Sequence, residues 1–179
     1  AKETNVFPTE GGTAAICYIF NSLKENGLIK AGDKIAINTP IFTPYLQIPE
    51  LKDYEMIQVN LISKEENNWV IEDSELEKLK DKEIKALFFV NPSNPASKAL
   101  SEDALNHIAD IVKERNDLMI ITDDVYGTFV EKFKTIYSVA PYNTLLVYSL
   151  SKLYGVTGWR LGLIAANENN VFDELISKL

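Results

Sequence analysis

The densest chemistry in the sequence lies in Ser149-Leu150-Ser151-Lys152, followed by Gly158-Trp159-Arg160-Leu161-Gly162. Two hydroxyls and a guanidinium can cradle an anion, because a phosphate-like group takes several hydrogen bonds at once and an Arg fork gives two of them. Of the 18 basic residues only Arg115 and Arg160 are arginines, so an Arg placed between glycines points to bidentate recognition of an anion. Lys152 stands beside the cradle. A lysine in a partly buried, positively charged place gives up its proton readily and becomes a nucleophile. Alone it reads as one more solvated lysine; its neighbours make it a candidate.

Four other segments carry side chains of the right kind. Glu10-Gly11-Gly12-Thr13 precedes a helical pattern, and glycines there let an anion reach free N–H groups at the positive end of a helix. Taken alone, Gly-Gly is an ordinary tight turn. Thr39-Pro40-Ile41-Phe42-Thr43-Pro44-Tyr45 offers Phe42 as an aromatic that could stack on a flat ligand, or simply fill a loop or core. Asn91-Pro92-Ser93-Asn94-Pro95 fixes a turn whose Asn amides are expected to point outward. Asp123-Asp124-Val125-Tyr126 follows an apolar run. A carboxylate there is costly without a partner, and a cationic ring nitrogen or the start of a helix would serve.

These segments each follow a strand-like run. Strands are predicted at Thr4–Thr9, Lys34–Asn38, Met56–Val59, Trp69–Ile71, Ile84–Val90, Leu118–Thr122, Leu145–Tyr148 and Leu161–Ala166. Helices are predicted over Thr13–Asn26, stopping at Gly27, and from Thr43-Pro44 to about Leu51. Further helices are predicted near Ser74–Lys80, over Ser101–Arg115 with Ser101 as cap, and in the last stretch from Asn170 to Leu179. Strands alternating with helices give an α/β fold: a three-layer α/β/α sandwich around a mostly parallel sheet of about seven strands. In such sheets ligands bind beyond the carboxyl ends of the strands, where these segments fall.

Composition narrows the rest. The chain of 179 residues is 46% hydrophobic and 25% charged with a net charge of −8. That suits a folded domain and argues against nucleic acid or an anionic membrane as the main partner. No stretch approaches the roughly 20 apolar residues of a membrane span. The single cysteine, Cys17, makes no internal disulfide, which allows a reducing, cytoplasmic setting. Cys17 itself reads as core. His107, the one histidine, is expected on the polar face of its helix with no catalytic role. No metal site is readable, and G-x-G-x-x-G and G-x-x-x-x-G-K-[ST] are both absent, which counts against a nucleotide binder. Both ends read as cut from a longer protein.

Taken in order, G-G-T, P-x-F-x-P-Y, N-P-S-N-P, D-D-V-Y, S-L-S-K and G-W-R-L-G resemble the pyridoxal-phosphate-dependent class I/II aminotransferases of fold type I. The wording from Asp123 and from Ser149 is most similar to the aspartate aminotransferase/aspartate 4-decarboxylase branch. The resemblance implies a cofactor, pyridoxal 5'-phosphate, held by Gly11, Gly12, Thr13, Phe42, Asn94, Asp123, Tyr126, Ser149, Ser151, Lys152 and Arg160. Lys152 would bond the cofactor covalently and shuttle the proton. Asp123, rather than Asp124, would pair with the ring nitrogen. Tyr126 and Asn94 would bond the phenolic oxygen and Phe42 would stack on the ring. Two departures stand out: Ala96-Ser97 replaces the usual T-G after the second Pro, and Asp124 makes the acid next to Asp123 an Asp as well.

The implied activity is transamination of aspartate, or loss of its β-carboxylate as CO2 to give alanine. The implied partners are small amino acids and 2-oxo acids, with no nucleic acid and no membrane, in a homodimer or higher oligomer. The whole chain, 1–179, then reads as the large, cofactor-binding domain, with the small domain and N-terminal arm outside it and weak or no turnover by itself. A non-catalytic, aminotransferase-like sensor domain of a regulator is the alternative.

Overall fold

In the computed structural model, residues 3–50 and 56–172 are described, with side chains for all of these except 48–50. The predicted helix from Asn170 to Leu179 lies almost wholly outside the described residues. Seven strands run in the order β1-β7-β6-β5-β4-β2-β3. They are β1 (Thr4–Thr9), β2 (Lys34–Thr39), β3 (Ile57–Ile62), β4 (Ile84–Val90), β5 (Met119–Asp123), β6 (Thr144–Ser149) and β7 (Gly162–Asn167). The block from β3 to β6 is parallel, and β7 pairs antiparallel with both β6 and β1. The carboxyl ends of β1, β2, β4, β5 and β6 therefore open on one side.

Alternation along the central strands sorts side chains into two cores. On one face Ile35, Ile37, Ala86, Phe88, Met119, Ile121, Leu145 and Val147 meet Ile16, Ile19, Phe20 and Leu23 of α1 (Gly12–Glu25). On the other, Ala36, Leu87, Phe89, Leu118 and Ile120 meet Leu105, Ile108, Ile111 and Val112 of α4 (Glu102–Glu114). This is the expected three-layer sandwich. Each fully buried Leu, Ile or Phe contributes roughly 1.5–3 kcal/mol relative to exposure. Ser101 caps α4 as predicted, its Oγ accepting from the Ala104 N–H at 3.1 Å.

The departures from expectation have local causes. Trp69–Ile71 is not a strand. Trp69 has φ 60°, and only an isolated bridge joins Ser63 to Ile71. The acidic helix is one short turn, α3 (Asp73–Leu76), tightening into a 3-10 turn over Glu77–Lys80. β3 runs past the predicted Val59 to Ile62, because Asn60, Leu61 and Ile62 stay paired with Ile37, Asn38 and Thr39 of β2 although polar Asn60 breaks the apolar pattern. α2 (Thr43–Glu50) takes Thr43 as its first helical residue rather than its cap. Cys17 is half-buried against the α1 core. His107 lies between two acids, Nδ1 2.9 Å from Asp73 Oδ1 and Nε2 2.9 Å from Glu77 Oε1.

Candidate active site

At the carboxyl ends of the strands lies a pocket of about 210 Å³. Its wall includes Gly12, Thr13, Phe42, Asn94, Asp123, Tyr126, Ser149, Ser151, Lys152 and Arg160. Those ten residues come from strand ends, the start of α1 and the connections between elements, and the eleventh predicted site residue, Gly11, meets Arg160.

Asp123 ends β5, so its side chain sits inside the sheet's rim. It is 2% exposed. Its Oδ2 accepts from the Tyr45 hydroxyl at 2.7 Å and its Oδ1 from the Val125 N–H at 3.1 Å. Burial pushes this carboxyl well up. The Tyr45 hydroxyl, the Val125 N–H and the charge of Lys152 oppose that only in part. Such a group favours a cation placed against it. Asp124, one residue on, points to the other face of the strand. Its Oδ1 accepts from Thr122 Oγ1 at 2.5 Å and its buried Oδ2 has no partner. Burial, with the neighbouring Asp123 charge adding, pushes it up to about 7 against the Thr122 hydroxyl. Strand alternation thus separates two adjacent acids, and only Asp123 reaches the pocket. Neither acid starts a regular helix: a turn follows, with the Gly127 N–H donating to the Asp124 carbonyl at 2.9 Å.

The anion-binding side is built from backbone as much as from side chains. α1 begins after Gly11, whose φ of 96° is a left-handed value that glycine takes without strain. The first N–H groups of α1 have no intrahelical partners. Arg160, at φ 50°, lays its guanidinium directly on Gly11: a Cβ there would stand 2.5 Å from Nη2. Gly162 lets two segments of the backbone meet, since its own Cβ would be 2.7 Å from the Gly11 carbonyl carbon. Ser149 Oγ donates to Ser151 Oγ at 2.8 Å. Arg160 Nη1 donates to the Thr157 carbonyl at 3.0 Å, so one arm of the fork is anchored.

Asn94 Nδ2 donates to the Tyr126 hydroxyl at 3.3 Å, which puts both groups on one side of the pocket. Phe42, 41% exposed, presents its ring at the mouth. The other Asn of that turn differs from expectation. Asn91 is fully buried and turns inward, its Oδ1 accepting from the Leu100 N–H at 2.9 Å. Its amide oxygen thereby satisfies a backbone N–H of the returning chain.

Sequence reasoning missed Tyr45 and Thr157. Tyr45 is buried, edge-on to Phe42 with centroids 5.3 Å apart, and lies at i+3 from it. That spacing on the first turn of α2 was the available signal. Thr157 lies in a 3-10 turn (Thr157–Trp159) that no periodicity announces. It lines the pocket and its hydroxyl donates to the Ser151 carbonyl at 3.2 Å.

The donor set suits pyridoxal phosphate. The pocket wall holds an Arg fork, two hydroxyls and a helix start, which suit an anion, and one buried carboxylate, Asp123, which suits a cationic ring nitrogen.

Comparison with known proteins agrees. The profile described as aminotransferase class I and II matches residues 1–179. A bifunctional aspartate aminotransferase and L-aspartate beta-decarboxylase of Pseudomonas sp is 53% identical over 179 residues, covering 99% of this chain and 34% of that protein. An aspartate aminotransferase of Pyrococcus horikoshii is 31% identical over 165 residues, covering 90% of this chain and 40% of its own length. The chain thus spans between a third and two-fifths of these relatives. Among solved structures, an alanine aminotransferase from Pyrococcus furiosus superposes with TM-score 0.83 at 26% identity, over 96% of this chain and 43% of that one. Cystalysin from Treponema denticola, whose structure contains a pyridoxal 5'-phosphate cofactor, gives 0.80 at 26% identity, over 97% and 44%.

Proposed function

Because the chain belongs to the class I and II aminotransferase family, we propose that it is the pyridoxal-phosphate-binding domain of an enzyme acting on aspartate, by transamination, β-decarboxylation or both. The observation that carries this is the convergence of Lys152, Asp123, the Asn94–Tyr126 pair and the Arg160 cup on one pocket. The choice of aspartate rests on the 53% identity to a relative whose name carries both reactions.

When bound, pyridoxal phosphate supplies the electron sink for a carbanion at the substrate's α-carbon. The chain's own residues would do the rest. Arg160, Ser149, Ser151 and the first N–H groups of α1 would hold the phosphate. Phe42 would cover one face of the ring. The Asp123 carboxylate would keep the proton on the ring nitrogen, with Tyr45 holding it in place by the 2.7 Å bond. Asn94 and Tyr126 would donate to the phenolic oxygen. Lys152 Nζ would take the α-proton of the substrate and return it, acting as general base and then acid.

Neither arginine is placed to grip a substrate carboxylate. Arg115 is buried among carbonyls at the other end of the sheet, and Arg160 belongs to the cup. We place that grip, with a small domain and N-terminal arm, in the rest of the protein, and we expect an oligomer, a homodimer at least, in the cytoplasm. By itself the chain would bind cofactor and turn over aspartate poorly or not at all.

Hydride reduction of the chain loaded with pyridoxal phosphate, followed by peptide mapping, is expected to tag Lys152. A tag on another lysine would overturn the assignment. Asp123→Ala should weaken cofactor binding far more than Asp124→Ala, and equal losses would reverse their roles.

A further inference from the structure

An open sheet leaves two edges, and β3 is one of them, with β2 as its one strand neighbour among the described residues. The N–H groups of Ile57 and Ser63 donate inward, to the Asp33 and Thr39 carbonyls at 2.9 and 2.8 Å. Along a strand, the backbone groups of one residue point to one side and those of the next to the other. Gln58, Asn60 and Ile62 therefore present theirs outward. The strand reads Ile-Gln-Val-Asn-Leu-Ile, with no charge and no proline, and its end residues Ile57 and Ile62 are exposed. A bare edge of this kind is a template for another strand.

Two of the three outward positions are occupied. The Ile62 N–H donates to Glu75 Oε2 at 2.7 Å. Lys78 Nζ donates to the Asn60 carbonyl at 3.2 Å and to Glu75 Oε2 at 2.6 Å. Glu75 and Lys78 stand three residues apart on the α3 segment. Leu76 and Leu79 of the same segment are fully buried and fix it to the core. The segment thus lays a linked acid and base along the edge of the sheet.

We propose that the Glu75–Lys78 pair guards the edge of β3 against an extended β3 strand from a second copy of the chain. The acid takes the donor, and the ammonium takes the acceptor, that an incoming strand needs at successive outward positions. A partly exposed i,i+3 pair contributes little to stability, so the placement is explained by what it blocks. An identical strand is the matching intruder, because it is uncharged and carries the same alternation. None of these residues lines the pocket, so the proposal stands or falls separately from the proposed activity.

The test compares the parent chain with three variants: Glu75→Gln, the double variant Glu75→Ala/Lys78→Ala, and that double variant with Ile62→Pro added. Light scattering and sedimentation follow self-association, hydrogen exchange follows residues 57–63, and far-UV circular dichroism checks folding. The double variant is expected to associate at about tenfold lower concentration, a difference of roughly 1.4 kcal/mol, with faster exchange at Ile62 below the concentration at which it associates. Glu75→Gln keeps an oxygen acceptor and should match the parent. Ile62→Pro removes the outward donor at a position where an edge strand tolerates proline, and should return the double variant to parental behaviour. A folded double variant that associates no more than the parent, or association that Ile62→Pro does not relieve, would overturn the proposal. If the double variant does not fold, Lys78→Ala alone is read by the same criteria.

Discussion

The two ends of the parallel strands follow opposite rules. At the amino ends Arg115 is 5% exposed, and its guanidinium donates to the carbonyls of Leu79, Asp81 and Ile84 and to the Asp117 carboxylate. Asn143 does the same on a smaller scale, its Nδ2 donating to the Asn116 and Leu118 carbonyls at 3.1 Å each. At the carboxyl ends, Asn91 Nδ2, Ser93 Oγ and Asp124 Oδ2 are buried without partners. The other arginine, Arg160, sits in a left-handed conformation and bonds one carbonyl. The carbonyls around Arg115 and Asn143 are met, whereas the turns that carry Asn94 and Asp123 keep unmet polar atoms just behind the pocket wall. Strain and unmet polarity tend to gather where a ligand is to be received.

Removing each arginine should break the comparison in a different way. Arg115→Ala strips three carbonyls of their donor and is expected to cost about 3–5 kcal/mol of unfolding free energy, read by urea denaturation, with cofactor affinity of the folded fraction unchanged. Next comes Asp124. Its carboxyl, near 3.8 when unfolded, is pushed up to about 7 by burial. Below 3.8 it is neutral in both states. Between the two values the unfolded chain gives up its proton first, so stability falls as pH rises and then levels above about 7. Asp124→Asn should remove about 2–4 kcal/mol of that dependence, seen by comparing denaturation at pH 5 and pH 8; an unchanged slope would place the ionisation elsewhere.

Arg160→Ala should shift unfolding by less than about 0.5 kcal/mol, as for an exposed side chain. It should weaken pyridoxal phosphate by roughly 10- to 100-fold, the worth of a charge-assisted hydrogen bond or two, measured by equilibrium titration. The smallest effect belongs to His107. Asp73 and Glu77 raise its pKa, with burial opposing, so its contribution is fully present below the unfolded value near 6.5 and is lost as pH rises through the folded value. His107→Gln should flatten that fall by only a small fraction of the Arg115 effect, because both acids face solvent.

Strand limits are legible at both extremes of burial: β1 (Thr4–Thr9), mostly exposed at the sheet edge, is found as predicted, and so is the buried β4. Ile84–Val90 is found with its predicted limits because seven consecutive residues from Ile to Val leave little room for anything but a central strand. β3 was read short because an edge strand keeps polar residues such as Asn60 in its outward half. The Trp69–Ile71 segment misled because aromatic and β-branched residues suit strands, whereas the turn at Asn68 and Trp69, both at positive φ, left it no partner beyond one bridge. At the site, ten of the eleven predicted residues line the pocket itself because they lie at strand ends or in the connections that leave them, and those are legible.

The sequence by itself determined the alternation of strands and helices, and with it which short segments gather at one end of the sheet, since those signals are local. The tertiary structure decided what those segments face. It separated Asp123 from Asp124 and brought Tyr45 to Asp123 across 78 positions of chain. It pressed Arg160 onto Gly11 and laid Glu75 and Lys78 over the edge of β3. These contacts join residues far apart in the chain, and they exist only once the sheet has set the register and burial has made each unmet polar group costly.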